Sequence, residues 1–234
     1  GKALIIATQT TNRLFERLSV KPDLIFSFDG AYANYYEHFD GVNLDVPLVY
    51  DPTLFWKIVP HWKGPRSAFL VHPANHWLEE QLGETLSGFW TGPSIANTML
   101  DFAVRIGGNP VILIGQDLAY TDNRFHADHT HRSVEWDSTI PPERALIEVE
   151  GQNGRKVLSD KAMLTMLHWF EEYPKCCNVE LPNLVNATEG GAHIRGFTEM
   201  SLAGALEQYC QAEQDVMGFI RLVTEPRDMN WQGV

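Results

Sequence analysis

Short apolar runs alternate with segments of helical spacing along this chain. Residues 4–7, Leu-Ile-Ile-Ala, read as a strand and residues 11–18 as a short helix. Residues 24–28 read as a second strand ending at Asp29-Gly30, with shorter strands at 48–50 and 68–71. Over 94–106, Ile95, Met99, Phe102, Ala103 and Ile106 recur on one helical face. Residues 111–114, Val-Ile-Leu-Ile, carry no polar side chain, as in a strand covered on both faces at the centre of a parallel sheet. A helix is expected at 159–173, capped by Ser159, with Met163, Leu164, Met166, Leu167 and Phe170 as its apolar stripe. A last short strand is expected at 179–181, and helices at 202–209 and 216–223. The alternation predicts an α/β fold built on a doubly wound, mostly parallel sheet, with helices at the C-terminal end. The core is expected over 1–200, and a helical segment over 201–234 packs on it or leads out of it.

Composition narrows the partners. With 234 residues, 44% of them hydrophobic, the chain can bury a full core. The net charge of -12 argues against nucleic acid, whose binding draws on neutralised phosphates. It leaves room for a small anion in a local positive pocket. No run of 18 apolar residues is present, so no membrane span is expected, and no signal peptide is visible. The three cysteines, two of them adjacent at Cys176 and Cys177, make neither a disulfide framework nor a zinc pattern. Reduced thiols and a cytoplasmic location are the expectation.

Candidate chemistry follows from where ligands bind in open α/β sheets, beyond the carboxyl ends of strands. Three such ends carry unusual polar residues: Asp29-Gly30, Thr91-Gly92-Pro93-Ser94, and Gly115-Gln116-Asp117. The Gly-Pro-Ser turn opens a helix, whose free N–H groups and dipole suit a phosphate or carboxylate, although Ser94 could equally be a simple N-cap. Asp117 and Asp29 are either ligand contacts or bonds to loop amides. Residues 122–154 are polar and rich in His and Pro, and are expected to form a lid over a bound ligand, with Gly151 and Gly154 as hinges. This stretch holds the one dense cationic cluster, Arg124, His126, His129, His131 and Arg132. The cluster reads as a phosphate-facing loop, a solvated loop, or a metal site for which Asp122 and Asp128 could supply oxygens. The turn-rich segment from Asn186 through Glu189 to Gly191 follows the last strand, and its glycines permit close backbone approach.

Several of these segments together resemble one family. The run from Thr91 through Ser94 and Asn97, then Gly107-Gly108-Asn109-Pro110, then Gly115-Gln116-Asp117-Leu118-Ala119-Tyr120, then His126-Ala127, is similar to the core of the motility-associated factor (Maf) proteins. Asn186-Ala187-Thr188-Glu189-Gly190-Gly191-Ala192, with Gly196 after it, fits the same pattern, as do Phe28-Asp29 and His38-Phe39. The resemblance implies a Rossmann-like nucleotide-sugar-binding core, distantly sialyltransferase-like, within a longer polypeptide. It implies transfer of a nonulosonic acid from a CMP-activated donor to Ser or Thr of flagellin, with no cofactor and no metal. It assigns catalytic roles to His126, Asp117 and Tyr120. It assigns donor binding to Asp29, Gly92, Ser94, Asn97, Gly115, Gln116 and Glu189. Maf-like chains usually carry an earlier Gly-x-Gly-Pro-Ser motif that does not precede Leu4, so part of the donor site is expected to be missing and the chain alone is expected to show weak or no transferase activity. The sialyltransferases also place a catalytic His before the helix matching 159–173, where this chain has Gly154-Arg155-Lys156-Val157, which leaves the general base open. A related branch, the 6-hydroxymethylpterin diphosphokinase MptE-like proteins, implies pyrophosphate transfer from ATP, with Mg2+ on Asp29 or Asp117. A third possibility is a non-catalytic protein that binds flagellin.

Overall fold

The computed structural model describes residues 1–69, 80–81, 89–120 and 145–225. In chain order its elements are β1 (Ile6–Thr8), α1 (Asn12–Leu18), β2 (Leu24–Ser27), α2 (Tyr32–His38), β3 (Leu48–Tyr50), α3 (Ile58–His61) and β4 (Arg66–Ala68). They continue with α4 (Ile95–Arg105), β5 (Val111–Leu113), β6 (Ile147–Glu150), β7 (Lys156–Ser159), α5 (Lys161–Cys176), β8 (Leu184–Asn186), β9 (Thr198–Glu199), α6 (Leu202–Tyr209) and α7 (Val216–Thr224). The chain divides into two compact units, Gly1–Trp90 with Gln214–Val234, and Thr91–Glu213.

The first unit holds a four-stranded parallel sheet in the order β1-β2-β3-β4. All four residues of β2 are buried, which is why Leu-Ile-Phe-Ser lies inside the sheet rather than at an edge. Ile25, Leu48, Phe39, Leu54, Ile58 and Trp62 pack into one core cluster. The Trp62 indole N–H donates to the Val46 carbonyl at 2.8 Å, so its polar edge is satisfied within that core. Arg13 on α1 donates to the carbonyls of Tyr36, Glu37 and Asp40, closing the C-terminal end of α2. The last helix belongs here too: α7 packs against β4, and the Gln214 N–H donates to the Gly1 carbonyl at 2.7 Å.

The second unit holds a three-stranded parallel sheet, β5-β8-β9, and an antiparallel hairpin, β6-β7. Each parallel strand but the last follows a long helix, α4 before β5 and α5 before β8. The two helices are joined in the core by a polar strut. The buried Tyr173 hydroxyl donates to Asp101 Oδ1 at 2.9 Å, and Arg105 Nε donates to Asp101 Oδ2 at 2.7 Å. Burial, with the Asp101 hydrogen bond second, raises the Tyr173 phenol well above its ordinary range.

The α/β class and the mostly parallel pairing are as the sequence predicts, with the parallel strands in two sheets. Five local expectations change. Among the described residues β8 pairs with both β5 and β9, so β5 stands at an edge of its sheet rather than at the centre, and Ile114 beyond it is exposed. The last long strand is Leu184–Asn186 rather than 179–181, because Pro182 offers no N–H to a ladder and the pair Leu184-Val185 is the one buried beside β5. Asp160, not Ser159, caps α5: its side chain accepts from the Met163 N–H, while the buried Ser159 hydroxyl ends β7 and donates to the Leu118 carbonyl at 2.8 Å. Residues 147–159 form a hairpin, so the polar stretch does not run loop-like to Gly154. Gly151 is no free hinge. It bridges Ala192, and the next amide, Gln152 N–H, donates to the Gly191 carbonyl at 3.1 Å.

Candidate functional site

The second unit gathers most of the candidate residues at one edge. α4 packs beside β5 and leads into it through residues 106–110, so the helix start and the strand end face the same way. Ser94 is the N-cap of α4. Its N–H donates to Asn97 Oδ1 at 3.1 Å, one half of a capping box. The preceding turn is held from two sides. Gly92 lies so close to the Asn97 side chain that a Cβ would stand 2.5 Å from Asn97 Cβ and 2.7 Å from its Cγ, so only glycine fits. The Thr91 carbonyl accepts from Trp169 Nε1 of α5 at 3.2 Å. Asn97 is fully buried, and its Nδ2 has no hydrogen-bond partner among the described residues.

Two strand-end segments interlock beyond β5 and β8. The Gln116 N–H donates to Thr188 Oγ1 at 3.0 Å, and the Ala192 N–H donates to the Asp117 carbonyl at 2.7 Å. The Thr188 N–H in turn donates to the buried Asn186 Oδ1 at 3.2 Å. Gly191 has φ +75° and presses on the Asp117 backbone, leaving no room for a Cβ. Asp117 and Gln116 are half-buried on this wall, with Gly115 and Glu189 exposed at its rim.

The remaining candidates divide. Tyr120 is buried, and its hydroxyl donates to Asp160 Oδ2 at 2.6 Å, so this phenol is directed at the α5 cap. Asp29 lies in the first unit, where its Oδ1 accepts the Ala31 N–H at 2.8 Å at the start of α2. His126, with Arg124, His129, His131 and Arg132, lies outside the described residues, as does the part of the expected lid over 122–144. Among the described residues no group of three or more His, Cys, Asp or Glu could hold a metal ion.

No motif in the sequence marks one further pair on this edge. His193 Nδ1 lies 2.5 Å from Glu199 Oε1, and Glu199 is the last residue of β9, in register with Asn186 of β8. Its signal was slight: a single His directly after the Gly190-Gly191-Ala192 turn.

The profile of the 6-hydroxymethylpterin diphosphokinase MptE-like family matches residues 1–123, which include the Gly92–Asn97 turn and the segment through Tyr120. The chain belongs to this family. The MptE-like chain is also similar over 95% of its length to the structure of a Maf glycosyltransferase from Magnetospirillum magneticum AMB-1, with a TM-score of 0.70 and 16% identity. At that identity the likeness speaks to the α/β fold, and the chain spans 33% of the length of that protein. A comparison with curated proteins finds no match. Among the described residues no helix is long and apolar enough to cross a membrane.

Proposed function

We propose that this chain is the donor-binding core of a glycosyltransferase that moves a nonulosonic, sialic-acid-like sugar from a CMP-activated donor to Ser or Thr of flagellin. The observation that carries the reading is the interlocking of Gln116-Asp117 with Thr188-Ala192, two segments far apart in sequence that both belong to the Maf resemblance and form one wall at a strand edge. Transfer of this kind builds charge on the departing phosphate and oxocarbenium character on the sugar. It needs donors aimed at the phosphate and a base for the acceptor hydroxyl. In this reading Ser94, Asn97 and the amides opening α4 hold an anionic group of the donor, across the tight turn that Gly92 permits. Gln116 and Asp117 orient the donor, with Gly115 and Glu189 at the rim. The Maf resemblance assigns a catalytic role to His126 and donor binding to Asp29. Tyr120 acts by fixing Asp160 and the start of α5. No metal takes part, and the reaction proceeds in the cytoplasm.

The family match favours one second reading, pyrophosphate transfer from Mg2+-ATP to a hydroxymethylpterin. Calorimetric titration with CMP, a CMP-activated nonulosonic acid and Mg2+-ATP separates the two. The first reading expects CMP and the CMP-sugar to bind in the presence of a chelator. Tight Mg2+-ATP binding with no response to CMP would sink it in favour of the second.

A further inference from the structure

Glu199 ends β9, and its carboxylate meets the imidazole of His193 at Nδ1, 2.5 Å away. An ionised carboxylate only accepts, so Nδ1 carries the proton and Nε2 keeps its lone pair. Among the described residues Nε2 has no hydrogen-bond partner. The ring stands on a rigid frame. The His193 N–H donates to the Glu150 carbonyl at 2.8 Å, and the Ala192 N–H donates to the Asp117 carbonyl at 2.7 Å. Ala192 and Ile194 on either side are fully buried, whereas His193 and Glu199 keep 32% and 25% of their side chains exposed. A half-exposed imidazole between two buried neighbours, one residue from the Asp117 wall, is fixed in orientation and open to solvent at one nitrogen.

We infer that His193 is the general base that deprotonates the acceptor hydroxyl, with Glu199 as its positioning residue. The inference rests on the group-transfer reading above and supplies the base that reading lacks. The acceptor O–H proton passes to His193 Nε2 as the acceptor oxygen bonds to the anomeric carbon. The bond from that carbon to the phosphate oxygen breaks, and CMP leaves with the electron pair. The imidazolium, stabilised by the Glu199 carboxylate, then returns its proton to solvent. Other charged groups on the surrounding elements are Glu150 of β6, Asp117 beyond β5, and Arg195, whose Nε lies 3.9 Å from Glu171 Oε1.

The test compares wild type, His193→Gln and Glu199→Gln for binding of CMP by calorimetry and for kcat and KM of sugar transfer from CMP-pseudaminic acid to flagellin. His193→Gln is expected to lose about 100-fold or more in turnover, with CMP affinity unchanged within about twofold. Glu199→Gln keeps an oxygen that can accept the Nδ1 proton, so a merely structural pair would leave kcat alone. The inference expects its kcat to fall about tenfold with KM for the CMP-sugar unchanged, because a neutral amide no longer stabilises the imidazolium formed during transfer. Transfer by His193→Gln within about threefold of wild type overturns the inference and leaves the donor reading standing. If wild type ignores CMP, the donor reading fails by itself. The same variants are then assayed for pyrophosphate transfer from Mg2+-ATP to 6-hydroxymethylpterin, whose acceptor is also a hydroxyl. The same loss there supports the base, and intact transfer in His193→Gln overturns it. A wild type active in neither assay overturns both.

Discussion

At the residue scale, the second unit depends on a few polar groups kept away from water. Asp101 is fully buried and receives both the Tyr173 hydroxyl and the Arg105 guanidinium. Removing one donor while the carboxylate stays buried is costly. Tyr173→Phe is expected to lower stability at pH 7 by about 1.5–3 kcal/mol in denaturant unfolding. The same variant should change the alkaline limb. The folded-state phenol is held above its ordinary range, so above about pH 10 the unfolded chain releases a proton that the folded chain keeps. That contribution is fully present below the ordinary tyrosine range and fades as pH rises through it. Wild type should therefore lose stability faster than Tyr173→Phe between about pH 9 and 11. Equal slopes would mean that burial leaves the phenol unperturbed.

At the element scale, α5 begins where three parts of the second unit meet. Asp160 caps the helix through Oδ1 and receives the Tyr120 hydroxyl on Oδ2. Asp160→Ala is expected to cost about 1–2 kcal/mol for the cap, and about 1 kcal/mol more for the buried phenol left without its acceptor. Asp160→Asn, an equally good cap, should cost much less, and thermal melts of the two variants decide between cap and carboxylate. The sequence made the long elements readable. β5 has no polar residue, and Ser94 before the stripe of α4 marks a helix start. Neighbouring polar residues were harder to tell apart, since Ser159 and Asp160 are both good caps and only the end of β7 separates them. The hairpin was hidden because Ile147-Glu148-Val149-Glu150 alternates over just four residues inside a polar stretch. The interlocked wall was legible as two motifs but not as one surface. The His193–Glu199 pair was barely legible, because it depends on the two-residue strand β9 lying in register with β8.

At the scale of the whole molecule, the first unit is built from both ends of the chain, and the second is one continuous stretch between them. Shortening the chain to residues 1–213 removes α7 from beside β4 and the Gln214 bond to Gly1. Hydrogen exchange should then report lost protection in β3 and β4, with β5 and β8 keeping theirs. Uniform loss across both sheets would show that the units unfold as one. The same arrangement fixes an order of events on the ribosome. The strands of the first sheet emerge early, but the helix that flanks β4 is translated only after the whole of Thr91–Glu213, roughly ten seconds later at common elongation rates. During that interval the nascent chain carries a parallel sheet with an unfinished flank. The stretch made second can therefore be the first to finish folding, and the nascent β4 edge is where a ribosome-associated chaperone would find its substrate.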